Sequence, residues 1–132
     1  MRTLGLILTA LWLAATPAKA QDDEIRSVIT QQLQAFQVDD FETAFTFASP
    51  MIQSIFRNPQ RFGQMVRNGY PMVWRPADVQ FGRIETRSGR TVQIVYFTDQ
   101  AGRMFEAEYE MIQSGEAWEI NGVAIREADL GA

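Results

Sequence analysis

The sequence predicts an α+β domain in which N-terminal helices pack on a strongly bent four-stranded antiparallel sheet, preceded by a signal peptide. Three observations predict it. Apolar residues recur at helical spacing through the first half of the chain, as far as Gly69. After Val79 the period falls to two, in runs separated by turn pairs such as Ser88-Gly89 and Ser114-Gly115. Two of those runs shift parity at a glycine, which reads as a β-bulge and therefore as a bend.

The leader comes first. Arg2 is followed by "LGLILTALWLAA", Leu4 to Ala15, an apolar run of signal-peptide length and shorter than a membrane span. Pro17 breaks the run, and Ala18-Lys19-Ala20 sets small residues before a cleavage point between Ala20 and Gln21. With no Cys beside that point, a lipoprotein is not expected. The division is 1–20 signal peptide and 21–132 a single domain, long enough for one core. A periplasmic or secreted location follows, with no membrane span after cleavage.

Without Arg2 and Lys19, ten basic residues face sixteen acidic ones, a net charge of −6. Such a balance disfavours nucleic acid and anionic membrane surfaces. Cys and His are absent, which excludes disulfides, thiol nucleophiles, Ser-His-Asp chemistry and His- or Cys-ligated zinc. No cofactor and no metal are expected. A disulfide-free exported domain suits a Gram-negative periplasm.

Asp22, Asp23 and Glu24 favour a helix start, and Ile25, Val28, Ile29, Gln32, Leu33 and Phe36 form one stripe. "DDFE" breaks and restarts the helix, with Asp39 or Asp40 as cap and Glu42 completing a capping box. Phe41, Ala44, Phe45 and Ala48 continue to Ser49-Pro50, and Met51 to Phe56 make another turn or two. Asn58-Pro59 opens a further helix with Phe62, Met65 and Val66 inside and Gly69 as a left-handed stop. The segment "RNGYPMVWRP", Arg67 to Pro76, then reads as a hinge with a rim role.

The first strand runs from about Val79 to Arg87, bulged at Gly82 so that Val79, Phe81 and Ile84 share a face. Arg83 and Glu85 then face solvent. Thr91–Thr98 and Arg103–Ile112 form a hairpin around Asp99 to Gly102. Pairing Thr98 with Arg103 sets Tyr96 opposite Phe105, Ile94 opposite Ala107 and Val92 opposite Tyr109. Those six, with Met111, make the core face. Glu106, Glu108 and Glu110 line the other, as a solvated face rather than a cation site. Val95, Phe97, Met104 and Ile112 also fall there, an apolar patch that predicts a homodimer. In the last strand, Trp118 to Ile125, Asn121-Gly122 reads as a bulge in preference to a tight turn, and the tail Arg126 to Ala132 as frayed.

"IRSVITQQLQAFQVDDFETAFTFASP" resembles the opening of the nuclear-transport-factor-2-like, or SnoaL-like, superfamily, and "WEINGVAI" is similar to its last strand. Across Ile25 to Ile125 the chain most resembles a bacterial family catalogued only as domain of unknown function 4864, on the phrases "FTFASP" and "NGYPMVWRP". The resemblance implies a cone-like, cystatin- or SnoaL-like fold with a pocket at its wide end. Its members include isomerases, dehydratases and cyclases beside non-catalytic binding and dimerising modules, so fold does not settle function. No catalytic motif carries over residue by residue.

The expected function is that of an exported, non-catalytic module binding a small ligand or a protein partner. Ligand-contact candidates are Tyr70, Trp74 and Arg75 in the hinge, and Tyr96, Tyr109 and Trp118 on the strands. The alternative is a cofactor-free isomerase, dehydratase or hydrolase, because an Asp base and a Tyr donor suffice to enolise a ketone. Its acids would be Asp40, Asp78 or Asp99, each of which also fits a cap or turn role.

Overall fold

The computed structural model describes residues 18–128, together with Gly5. Most of the leader, and the tail beyond residue 128, lie outside the described residues. Helix α1 spans Ala18–Gln37, four residues longer at its start than the acidic triplet suggested, so Asp22, Asp23 and Glu24 fall past its first turn. Ile25, Ile29, Gln32, Leu33 and Phe36 are buried along one stripe, as the spacing requires.

Asp39, at φ 56°, ends that helix, and Asp40 rather than Asp39 caps α2 (Phe41–Thr46). The Asp40 carboxylate accepts from Thr43 N at 3.2 Å and Thr43 Oγ1 at 2.7 Å. Ser49 caps α3 (Pro50–Phe56) and Asn58 caps α4 (Pro59–Gly69), each with proline opening the helix. Gly69 closes α4 without the expected left-handed stop. Pro71 then starts a short α5 (Pro71–Trp74), with Tyr70 before it at φ −135° and ψ 58°.

Four strands follow in the order β1-β2-β3-β4, all antiparallel: β1 (Asp78–Arg87), β2 (Arg90–Thr98), β3 (Met104–Ser114) and β4 (Ala117–Glu127). Ser88 and Gly89, at φ 49° and 76°, close the first hairpin as a two-residue turn. Both bulges are present. The β1–β2 register shifts between Phe81 and Ile84, and the β3–β4 register shifts where Asn121 is the extra residue. Each shift keeps the apolar side chains on the helix side: Val79, Phe81 and Ile84 in β1, and Trp118, Ile120, Val123 and Ile125 in β4, all pack on the core. β4 does not fray at Arg126: it runs to Glu127, and Ala128 N donates to Met104 O.

The second hairpin corrects the expected register. Thr98 pairs with Met104, not Arg103, so Tyr96 faces Glu106, Ile94 faces Glu108 and Val92 faces Glu110. Asp99 explains the slip. Its N–H donates to Arg103 O, its carboxylate accepts from Ala101 N and Arg103 N, and Gly102 sits at φ 85°. The loop is therefore three residues with a bulge glycine, not four. A one-residue slip turns every side chain of β2 over. Val95 and Phe97, expected on the outer face, are 0 % exposed in the core. Val92, Ile94 and Tyr96 take the outer side, with the Tyr96 ring over Gly82, where a Cβ would lie 2.9 Å from it.

Val95 and Phe97 therefore leave the patch behind the homodimer expectation, and Val92, Ile94 and Tyr96 stand on that outer side with Met104 and Ile112. Around them runs a charge lattice: Arg87 pairs with Glu85 and Glu108, Arg90 with Glu110, Arg126 with Glu106, and Arg83 with Glu85.

Gln93 is the buried polar residue on the core face of β2. Its amide nitrogen donates to Gly82 O at 2.9 Å and Ile94 O at 2.7 Å, while its oxygen accepts from Arg26 Nε at 3.3 Å. A buried amide placed this way satisfies the carbonyl that the β1 bulge frees from the ladder.

Candidate functional site

A cavity of about 360 Å³ lies between the helices and the far side of the sheet, within the range of small-ligand sites. The α1 stripe contributes Gln32 and Phe36. α3 contributes Ile52 and Phe56, and α4 contributes Phe62, Met65 and Val66. Tyr70 and Val73 close one side, Tyr109 of β3 another, and Ile120, Gly122, Val123 and Ile125 of β4 the floor.

Phe62 organises the aromatic wall, its ring centroid lying 5.8 Å from Phe36, 5.3 Å from Phe45 and 5.7 Å from Phe56. The β4 bulge places side-chain-free Gly122 on the floor, and the extra residue Asn121 is used structurally. Ser49 Oγ donates to Asn121 Oδ1 at 2.8 Å, so the residue that caps α3 also ties that helix to the bulge. The backbone reinforces the tie: Ile120 N donates to Phe47 O and Ser49 N to Ile120 O. Gln53 Nε2 adds bonds to Phe45 O and Ala48 O, both 3.1 Å.

Polar groups are few. Gln32 Nε2 donates to Ala44 O at 3.1 Å, fixing α1 to α2. Tyr109 is fully buried, and its hydroxyl has no hydrogen-bond partner among the described residues. Burial pushes its pKa well above the ordinary phenol value, so it remains a neutral donor. Leaving such a group unpaired costs about 1–3 kcal/mol.

Among the described residues, no carboxylate lines the cavity. Asp40 is occupied as a cap and Asp99 in its turn, and Asp78 is exposed at the start of β1, paired with Thr98. Among the described residues no group of three His, Cys, Asp or Glu is placed to hold a metal. Glu106, Glu108 and Glu110 face arginines.

The structure brings Tyr70 and Tyr109 to the cavity and sets the other four ligand-contact candidates elsewhere. Trp74 Nε1 donates to Asp39 Oδ1 at 2.8 Å, across 35 residues of chain. The Arg75 guanidinium lies over the Trp74 ring at 4.4 Å and pairs with Asp39 at 3.3 Å, and Arg67 covers the ring at 5.2 Å. The Trp74 hydrogen bond, with help from Arg75, holds the Asp39 carboxyl below its usual range. This cluster ties the turn after α1 to α5, inside the segment "RNGYPMVWRP" that connects α4 to β1. Tyr96 stands on the opposite face of the sheet. Trp118 packs in the core at the start of β4, its Nε1 buried without a partner. The cavity residues that sequence reasoning passed over, such as Phe62, Val66 and Ile120, carried only a core signal.

A family model described as a domain of unknown function, DUF4864, matches residues 18–130. No curated protein matches the chain.

Proposed function

Because the chain belongs to the DUF4864 family, whose description carries no activity, we propose a function from the cavity: a binding module that holds one small apolar molecule between its helices and its sheet. The observation that carries this reading is the lining, apolar and aromatic on every side, with no acid to serve as a base. The Asp–Tyr alternative has a tyrosine at the cavity but no carboxylate beside it, so no observation favours it. Helices followed by a doubly bulged antiparallel sheet support the cone-like, nuclear-transport-factor-2-like architecture that the resemblance implies.

The export reading belongs to the same proposal. Cleavage between Ala20 and Gln21 would remove the first three residues of α1 and leave its buried stripe, which begins at Ile25, intact. The N-terminal mass of the protein from its own cells, starting at Gln21, tests this.

Binding is tested with an apolar fluorophore such as N-phenyl-1-naphthylamine. The expected result is saturable enhancement with one site per chain, lost in Val66→Phe, which fills the cavity from α4. Non-saturable enhancement, or enhancement equal in the filled variant, refutes the reading.

A further inference from the structure

From Thr43 to Ala77 the chain contains no Asp or Glu and four Arg. All sixteen acids lie outside that stretch, which makes α3, α4 and α5 a basic island on an acidic protein. Two of the arginines within it also differ from those of the sheet. Arg83, Arg87, Arg90, Arg103 and Arg126 each face a carboxylate. Within the island, Arg75 is held by Asp39 and Arg67 lies over Trp74. Arg57 and Arg61 are exposed and form no ion pair among the described residues.

Beside these two charges lie two of the exposed large apolar side chains of the fold. α3 has no charged residue and no buried one. Met51 is 51 % and Ile55 62 % exposed, one helical turn apart on the same side. Arg57 follows immediately as the C-cap of α3, and Arg61 lies in the first turn of α4. The other side of α3 gives Ile52 and Phe56 to the cavity. A short helix with apolar side chains both outward and inward, flanked by unpaired cations, has the chemistry of an interfacial element rather than of a solvated one.

We propose that α3 and the start of α4 form a docking surface for an anionic lipid bilayer, with Met51 and Ile55 entering the headgroup region and Arg57 and Arg61 meeting lipid phosphates. The acidic remainder of the protein then orients the approach, since only this side is attracted to a negative surface. A bilayer fits better than an acidic protein because the docking helix also walls an apolar cavity, whose contents would be drawn from a lipid phase. The docking rests on the surface residues, and the choice of a bilayer over an acidic protein rests in addition on the proposed apolar ligand.

The test is co-sedimentation of the purified protein with vesicles of phosphatidylcholine alone and of phosphatidylcholine with about one-third phosphatidylglycerol. Binding to the anionic vesicles only is expected, weakening by tenfold or more in Arg57→Glu/Arg61→Glu and at about 0.5 M salt, where the screening length is a few ångströms. Met51→Gln/Ile55→Gln is expected to weaken it as well, while Arg83→Glu/Arg90→Glu, on the sheet face, leaves it unchanged. All four positions in the docking variants are exposed, and circular dichroism verifies that each variant is folded. No binding to anionic vesicles, or equal binding by Arg57→Glu/Arg61→Glu, overturns the proposal. Capture by soluble polyglutamate with none by vesicles also overturns it, and assigns the surface to an acidic protein. The fluorophore titration is independent, so either result can fail without the other.

Discussion

Gly63→Ala reverses the usual rule for helices. Alanine in place of glycine inside a helix normally stabilises by about 1 kcal/mol. Gly63 lies in α4 with the Phe41 ring directly upon it: an added Cβ would meet Phe41 Cγ at 2.3 Å and the two Cδ atoms at 2.5 and 2.6 Å, where ordinary contact begins near 3.4 Å. The ring must therefore retreat by about 1 Å or leave its site, at a cost in the range of about 1–3 kcal/mol typical of overpacking. Phe41 is half-buried, so a displaced ring also forfeits part of the roughly 2–3 kcal/mol that full burial of a phenylalanine supplies. After the propensity gain, the variant is expected to be about 1–2 kcal/mol less stable than the wild type. Urea unfolding followed by tryptophan fluorescence measures this as a lower midpoint at unchanged slope. In a Phe41→Ala background the obstacle is gone and Gly63→Ala should stabilise by about 1 kcal/mol, a change of sign across the cycle. A Gly63→Ala protein as stable as the wild type, or more so, refutes the reasoning. It would also remove the reason α2 lies so close to α4, the approach that brings Phe45 and Phe62 together behind the cavity wall.

Two further outcomes follow from backbone and charge. Arg57, at φ 73° and ψ −37°, is a non-glycine residue in strained territory, so Arg57→Gly should raise stability by about 0.5–1 kcal/mol, read as a higher thermal midpoint. Asp39, held below its usual pKa by the Trp74 hydrogen bond and Arg75, contributes stability that is present above its unfolded pKa and lost as pH falls through the folded one. Urea midpoints should thus decline below about pH 4 in the wild type, and Asp39→Asn should flatten that decline.

Much of the fold was legible because its signals were local. The α1 stripe from Ile25 to Phe36, the restart at Ser49-Pro50, the cap at Asn58 and both bulges could be read from spacing alone. A glycine at each parity break leaves one arrangement that keeps the apolar face continuous. β2 was not legible. It is apolar on both faces, Val92-Ile94-Tyr96 on one and Val95-Phe97 on the other, so its pattern could not vote between registers. The deciding fact was the way Asp99 binds the backbone of its own loop, which is a matter of geometry rather than of composition. Gln93 deepened the error, because a glutamine on a strand suggests solvent and here it is buried beneath a bulge. Tyr109 was placed inward correctly, since β3 alternates cleanly between apolar and glutamate residues. The resemblance implied a pocket, but its lining was out of reach, because an empty volume is set by how four helices and two strands fail to meet. The Asp39–Trp74 contact was hidden for a related reason, its partners lying 35 residues apart with no shared motif.

Both bulges lie in β1 and β4, the two outermost strands of the sheet. An outermost strand offers a row of free N–H and C=O groups on which a neighbouring molecule can add a strand, and growth of that kind leads to fibrils. The extra residue in each strand throws that row out of step near its middle, and the Phe47–Ser49 backbone already occupies part of the row in β4. The two irregularities thus also make both margins of the sheet poor templates for self-assembly.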